Sequence, residues 1–358
     1  MKFYLDWIFL FIIAEAVLSV LQFALRKKCA KNALHFAFAA IKIVLATAFA
    51  GLVMAGPVIL RPVQPFLVAL YAALFADGVA DLIYTIICAI KKCERKFAVQ
   101  KILGLVFGIA FFIFGTVNMQ TVVPKYHTYT SDLLKSEHKF VFISDMHVGS
   151  AQPMSVTEKT ISDIKAQNPD FIILGGDIVD DYTTKSEMEE TFRLFAKTGI
   201  PVYYIYGNHE VVQHPEYMKN GIEYTEKELV QTIEKNGIKI LADSYADIAP
   251  DLVLRGRQDA ASVLRKDEAF EKNPPEKFLI VADHQPLSAN ADLIVSGHTH
   301  AGQFFPLKAL YAVIGKVEGD YHIGDIPMYV SSGASGWRVP FRTDSRSAFE
   351  VITLKPEA

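Results

Sequence analysis

Five of the ten histidines in the chain stand in short clusters with an aspartate or an asparagine: Asp145-Met146-His147, Gly207-Asn208-His209-Glu210, Asp283-His284 and Gly297-His298-Thr299-His300. Gly176-Asp177 adds a carboxylate at the end of an apolar run. Imidazoles, carboxylates and an amide oxygen, with no thiolate, suit manganese, iron or zinc rather than the all-oxygen cages of calcium or magnesium. Asp145 and His147 flank one residue, so both can turn toward one cation. His298 and His300 repeat that spacing and could each face a different ion. Asp177 offers two oxygens and can bridge, while Asn208 and His284 supply a neutral oxygen and an imidazole to the second ion. Each cluster alone is weak, since a Gly-Asp after a strand is commonly only a turn. Their combination predicts two adjacent metal sites.

The clusters follow apolar runs of strand length. Residues 139–144, 171–174 and 202–206 read as strands, 156–167 and 186–197 as helices between them, a βαβαβ unit. The run 171–174 is apolar throughout, the pattern of a strand covered on both faces. After a helix at 225–236, further strands are expected at 238–241, 251–254, 278–281, 293–295, 328–330 and 348–354. The domain therefore begins as α/β and ends richer in strand, an α+β character that suggests two packed sheets with helices outside.

The first third of the chain differs in kind. Four stretches, about 4–25, 33–55, 65–89 and 97–121, each approach the twenty apolar residues that cross a bilayer as a helix. The first has only Lys2 ahead of it and an apolar run too long for a signal peptide, so a retained helix is expected. Arg26, Lys27, Lys28 and Lys31 follow the first span and Lys91, Lys92, Arg95 and Lys96 the third, against Arg61 alone in the loop between the second and third. Positive loops stay in the cytoplasm, which puts both chain ends and the large C-terminal part outside. Cys29 and Cys93 fall in those loops and Cys88 near the same face, and no disulfide framework is expected. Glu15, Lys42, Asp77 and Asp81 lie within the spans, where lone charges are costly; a substrate or proton path and an internal ion-pair cluster around Lys42 both fit. The expected organisation is 1–121 transmembrane, 122–135 linker and 136–358 soluble domain.

The series Asp145-x-His147, Gly176-Asp177-x-x-Asp180, Gly207-Asn208-His209-Glu210, His284 and Gly297-His298-Thr299-His300 resembles the calcineurin-like metallophosphoesterase superfamily. Asp283-His284-Gln285-Pro286, Ala301-Gly302-Gln303 and Pro340-x-Arg342 resemble its membrane-associated bacterial phosphodiesterase branch, which also contains enzymes acting on the pyrophosphate of lipid A precursors. The resemblance implies a four-layer αββα sandwich behind a four-helix transmembrane bundle. It implies one metal on Asp145, His147, Asp177 and His300, and another on Asp177, Asn208, His284 and His298. His209 matches the family's catalytic histidine and Asp180 the carboxylate that orients it. Ala301 stands where Gly is more usual, and Glu210 where many members have Asp. Gly256-Arg257-Gln258-Asp259 matches the branch only loosely and is assigned no chemistry.

Two divalent ions would lower the pKa of a shared water, so that a bridging hydroxide attacks phosphorus in line, and His209 would protonate the leaving oxygen. The expected activity is phosphodiester or pyrophosphate hydrolysis on a lipid-linked or envelope substrate, at the bilayer. A non-catalytic sensor or scaffold built on the same fold is the alternative, which the full ligand set disfavours. Nucleic acid is not an expected partner, because the soluble part is acidic. Asp181 is expected in a solvated loop. His127, His138, His214 and His322 are expected to be surface or packing residues, and Trp337 and Tyr321 packing residues that could instead line a substrate groove.

Overall fold

The computed structural model describes residues 2–25, 32–55, 63–149, 151–211, 223–266 and 276–357. Arg26, Lys27, Lys28, Cys29, Lys31, Arg61 and His214 lie outside the described residues. The chain divides into two compact units, Met1–Val117 with Phe304–Leu307, and Asn118–Gln303 with Lys308–Ala358.

The first unit contains α1 (Lys2–Leu25), α2 (Asn32–Ala55), α3 (Gln64–Lys91) and α4 (Phe97–Gln120). Among the described residues, the helices spanning Leu34–Met54, Gln64–Lys91 and Phe97–Gln120 are long and apolar enough to cross a membrane, and the described apolar part of α1, Phe9–Phe23, is shorter. Helix α3 starts with a proline in its first turn, where no N–H is needed, and ends on left-handed Lys92. It is the buried helix of the unit, and small residues let its neighbours close on it. A Cβ at Gly78 would come within 2.9 Å of Ile43 Cγ1, so α2 and α3 touch backbone to side chain there.

The charged residues of the apolar helices gather in one network. Lys42 Nζ reaches Asp77 Oδ2 at 2.8 Å and Asp81 Oδ2 at 3.0 Å, as two carboxylates four residues apart on one helix face allow. Lys101 Nζ lies 2.8 Å from Asp77 Oδ1 and 3.9 Å from Glu15 Oε2, and also bonds Gln22 Oε1 at 3.1 Å. Arg95 pairs with Asp81, and Gln22 donates to Asp77. Lys101 and Gln22 were not singled out in the sequence. Arg95, counted there as a loop cation, is engaged inside the cluster.

The second unit holds two six-stranded sheets. The chain runs β1 (Val123–Ser131), β2 (His138–Ile143), α5 (Met154–Ala166), β3 (Phe171–Gly175), α6 (Lys185–Ala196), β4 (Val202–Ile205), α7 (Asn208–Val211), α8 (Glu226–Lys235) and β5 (Lys239–Ile240). It continues through β6 (Ser244–Ala249), β7 (Leu252–Gly256), β8 (Phe278–Ala282), β9 (Leu293–Ser296), α9 (Leu307–Tyr311), β10 (Gly319–Ile323), β11 (Ile326–Val330) and β12 (Ala348–Pro356). The first sheet has the order β1-β12-β2-β3-β4-β5 and the second β10-β11-β9-β8-β7-β6. The βαβαβ expectation appears as parallel neighbours β2, β3 and β4. Residues 123–131, read as linker, instead form edge strand β1, parallel to β12: backbone pairing to a distant strand overrides a polar composition.

Strict alternation sorts the core. Phe140, Phe142, Phe171 and Ile173 point between the sheets to meet Leu252, Leu254, Phe278, Ile280, Leu293 and Val295. Val141, Ile143, Ile172 and Leu174 point outward under Ile161 and Ile164 of α5, Phe192 and Phe195 of α6, and Leu229 and Ile233 of α8. Helices α6 and α8 each start with a capping box, Thr184 with Glu187 and Thr225 with Glu228. Burying each of the inner phenylalanines contributes roughly 1.5–3 kcal/mol. Both sheets are thereby held rigidly enough to fix the loops at their strand ends.

Candidate metal centre

Every clustered residue leaves the C-terminal end of a parallel strand: Asp145 and His147 after β2, Asp177 after β3, Asn208 and His209 after β4, His284 after β8, and His298 and His300 after β9. The ligand atoms of Asp145, His147 and His300 lie within 4.8 Å of one another, as do those of Asp177, His284 and His298, and each group could hold a metal ion. The two are contiguous. Asp177 Oδ2 is 3.1 Å from His284 Nε2 and 3.9 Å from His147 Nε2, so one carboxylate faces both groups.

The backbone is bent to achieve this. Asp145 (φ 53°), His147 (φ 42°), Asp177 (φ 50°), His298 (φ 73°) and His300 (φ 47°) are all left-handed, a conformation costing L residues on the order of 1–2 kcal/mol each. Inter-loop hydrogen bonds hold them there: Asp145 N donates to Gly176 O, His147 N to Asp177 O, and Gly297 N to His284 O. His298 N donates to both Asp145 oxygens at 3.1 Å, tying the second sheet to the first. Gly176 and Gly297 are required by close approach, since a Cβ at either would collide with Gly207 or with Ser144 and Asp145.

Imidazole orientation comes from the far ring nitrogen. His284 Nδ1 lies 2.9 Å from Gly175 O, His300 Nδ1 3.1 Å from Ser335 O, and His147 Nδ1 3.1 Å from Asp180 Oδ2. With Nδ1–H donated to these oxygens, each Nε2 presents a lone pair to the centre. His147 Nε2 and His300 Nε2 then stand 3.3 Å apart. Asn208 Oδ1 is buried with no hydrogen-bond partner, and His284 Nε2 makes no hydrogen bond to the nearby Asp177 oxygen. Converging lone pairs and an unsatisfied buried amide oxygen are what divalent cations would satisfy.

Carboxylates and imidazoles shift one another strongly in this volume. Burial pushes the His284 imidazole down, but the Asp177 carboxylate, with Asp145, holds it well above its ordinary value. Burial likewise opposes His147, which the Asp180 carboxylate raises to about 9. Burial would raise Asp177, yet His284 and His209 keep it well below the usual carboxylate range. Without a cation, carboxylates and imidazolium groups neutralise one another in the same volume, and burial drives His300 down to about 3.

One pairing differs from the sequence expectation. Asp180 bonds His147 rather than His209; the Asp181 carboxylate lies 3.9 Å from His209 Nδ1 through Oδ2. Asp180 is drawn to His147 because its own loop is fastened to the His147 strand end, with Asp180 N donating to Thr183 Oγ1 and Thr183 Oγ1 to Val148 O. The two residues were consecutive acids in the sequence, and only the turn decides which faces which ring. His209 is nevertheless at the centre: its backbone N–H donates to Asp177 Oδ1 at 2.9 Å and its ring lies 5.1 Å from that of His147. Burial lowers its pKa against the pull of Asp177.

Several supporting residues had no such role in the sequence reading. Glu210 is buried and accepts from the amides of Asp177, Ile178, Val179 and Gly207, capping the loop that carries the shared aspartate. Burial, with Asp177 beside it, pushes Glu210 up to about 7. Arg342 is fully buried and donates to the carbonyls of His300, Ser332, Gly333 and Ser335, which places the acceptor of His300 Nδ1. Ala301, the departure from the family pattern, is left-handed at φ 48°, where Gly would be unstrained. Asp283 is held by Arg265 at 2.6 Å beside His284. Of the remaining histidines, His127 pairs with Glu350 and His138 with Asp251 as structural contacts. Tyr321 accepts from Val317 N and packs on the second sheet, while Trp337 lies beside His209, ring centroids 5.6 Å apart.

Residues 138–302 match the profile of the calcineurin-like phosphoesterases. That stretch is just under half of the chain, and it is similar to this family. An uncharacterized metallophosphoesterase of Helicobacter pylori is 30% identical over 63% of this chain and 62% of its own length, so the chain spans under two thirds of that relative. An uncharacterized metallophosphoesterase of Campylobacter jejuni is 27% identical over 80% of this chain and 79% of its own. A Bos taurus protein named as a transmembrane protein with a metallophosphoesterase domain is 25% identical over 73% of this chain and 64% of its own.

Proposed function

We propose that the protein is a multi-pass membrane phosphoesterase with a dinuclear metal centre, hydrolysing a phosphodiester or pyrophosphate bond of a lipid-linked or envelope substrate. The observation that carries this reading is the pair of contiguous ligand groups facing Asp177, together with a buried Asn208 Oδ1 that has no hydrogen-bond partner at the end of β4. One cation would be held by Asp145, His147, Asp177 and His300, the other by Asp177, Asn208, His284 and His298. Bound there, the ions would supply a nucleophilic oxygen at neutral pH and neutralise phosphoryl charge. The chain's own residues do the rest. Asp180, Gly175 O and Ser335 O fix the imidazoles, Glu210 fixes the Asp177 loop, and His209 donates a proton to the leaving oxygen. The native metal pair is taken as manganese, iron or zinc on the mixed nitrogen and oxygen ligation.

Purified protein with manganese should hydrolyse bis(p-nitrophenyl) phosphate. Asn208→Ala or His284→Ala should reduce turnover at least about a thousandfold, as loss of a metal and its charge stabilisation implies. Unchanged turnover in either variant contradicts the assignment. The basic loops support an extracytoplasmic catalytic domain, so a compartment-dependent reporter fused at Ala358 should be active only outside the cytoplasm; activity inside reverses the topology.

A further inference from the structure

Directly after the loop that carries His300, the chain turns apolar: residues 304–315 hold Lys308 as their one charged residue. Phe304–Leu307 belong to the first compact unit, where the Phe304 ring packs on Tyr71 of α3 and the Phe305 ring on Phe75, each with centroids 5.5 Å apart. Tyr71 Oη donates to Phe305 O at 2.9 Å. Tyr71 and Phe75 stand about 10 and 16 Å along the helix axis from Gln64, the first residue of α3. With its 28 residues α3 is about 42 Å long, which exceeds the hydrocarbon core of a bilayer by about 6 Å at each end. Centred in a bilayer, α3 carries Tyr71 and Phe75 inside the hydrocarbon boundary, and Phe304 and Phe305 with them.

Beyond Leu307 the same segment turns its side chains outward. Leu310, Val313 and Ile314 are 50%, 83% and 84% exposed, an apolar patch with no covering element. Both ends of the segment are fixed. Gln303 accepts from Trp337 N at 2.9 Å through Oε1 and donates from Nε2 to the carbonyls of Trp337, Val339 and Phe341, while Val317 is buried and its N–H donates to Tyr321 Oη at 2.9 Å. Between them the backbone closes on itself. Ala312 N donates to Lys308 O, Val313 N to Leu310 O, and Ile314 N and Gly315 N to Tyr311 O, so the tip brings none of these amides unpaired into an apolar medium. Lys308 is paired with Glu318.

We infer that Leu310, Val313 and Ile314 insert into the leaflet at the N-terminal end of α3, so that residues 304–315 are an interfacial membrane anchor whose partner is lipid. The inference rests on the reading that the apolar helices cross a membrane. Ile102, Val106, Ile109 and Ile113 of α4 present an exposed apolar stripe at helical spacing, the kind of surface that acyl chains cover. The segment continues that surface: Leu310 follows Leu307 by three residues, at most about 11 Å of chain. A short helical turn with apolar side chains outward and its charge paired is suited to lie about 5–10 Å deep at the boundary of headgroups and acyl chains.

The test uses the full-length protein carrying Cys29→Ala, Cys88→Ala and Cys93→Ala, reconstituted in vesicles of phosphatidylcholine and phosphatidylglycerol. Val313→Cys, Ile314→Cys, Ile109→Cys in α4 and Lys227→Cys on the exposed face of α8 are introduced one at a time and labelled with an environment-sensitive fluorophore. Lipids bearing a nitroxide near the headgroup should quench the labels at positions 313 and 314 at least about twofold more than the label at 227, and lipids bearing it near the chain end should quench the label at 109 most. Quenching at 313 and 314 no greater than at 227, with the label at 109 quenched, overturns the anchor and leaves the membrane-spanning helices standing. Blue-shifted emission at 313 and 314 without quenching by either lipid means that protein covers them, a second copy of the chain included, and overturns it too. A label at 109 that no lipid nitroxide quenches removes the membrane-spanning reading and the anchor with it.

Discussion

Two of the clusters in which the protein buries ionisable residues treat them in opposite ways. In the helical unit, Glu15, Asp77 and Asp81 face Lys42, Arg95 and Lys101, and charged atoms meet partners of opposite sign at 2.8 to 3.9 Å. In the soluble unit the aspartates and histidines aim at shared points, and Asn208 Oδ1 meets nothing. An ion-paired cluster satisfies itself and fixes packing, whereas a convergent one is completed from outside. Three acids balanced by three bases therefore speak for the packing role of the charges among the apolar helices, although Glu15 Oε1 lacks a hydrogen-bond partner. Three imidazoles with their Nδ1 atoms tied to oxygen acceptors speak for cations at the strand ends.

That contrast can be broken by mutation. The largest effect is expected at His209, which neither group uses as a ligand: His209→Ala should retain two metals by elemental analysis and lose about 10²–10⁴ in kcat on alkyl phosphodiesters, with a smaller loss on nitrophenyl esters that leave unaided. Equal losses on both would remove its proton-donor role. Next comes Lys42→Ala, which strands Asp77 and Asp81 in the bundle. It should destabilise the helical unit by about 3–5 kcal/mol in detergent unfolding while metal content and turnover per folded molecule stay near wild type. A bundle indifferent to that change would mean the charges do something other than hold helices together. The smallest effect is expected at Asp180: Asp180→Ala should weaken manganese binding about 10- to 100-fold through loss of His147 orientation, measured by titration calorimetry. If metal affinity is untouched, the pairing with His147 has no consequence.

The sheet architecture was largely legible because alternation of apolar residues is a local property. Phe140 and Phe142 face one way and Val141 and Ile143 the other as soon as the segment is extended. Strands β1, β6 and β10 escaped because they lie at or beside sheet edges, half exposed and polar, and depend on a partner for their existence. At the site, the candidate ligands were legible from residue type and from their position after apolar runs. Their left-handed backbones, the capping of the Asp177 loop by Glu210, and the clamp of Gln303 on residues 337–341 carry no signature that adjacent residues can write.

The sequence by itself determined which side chains are able to ligate, that they follow strands, and that apolar helices precede them, because type, spacing and hydropathy are properties of neighbours along the chain. Only the tertiary structure decided that Asp180 bonds His147 rather than His209, that Lys101 and Arg95 join the charges among the apolar helices, and that Arg338 lies over Trp337 beside the candidate proton donor. Those partnerships depend on the order of strands in a sheet and on the turn each loop takes. A single residue of rotation in a loop changes which of two consecutive carboxylates meets an imidazole.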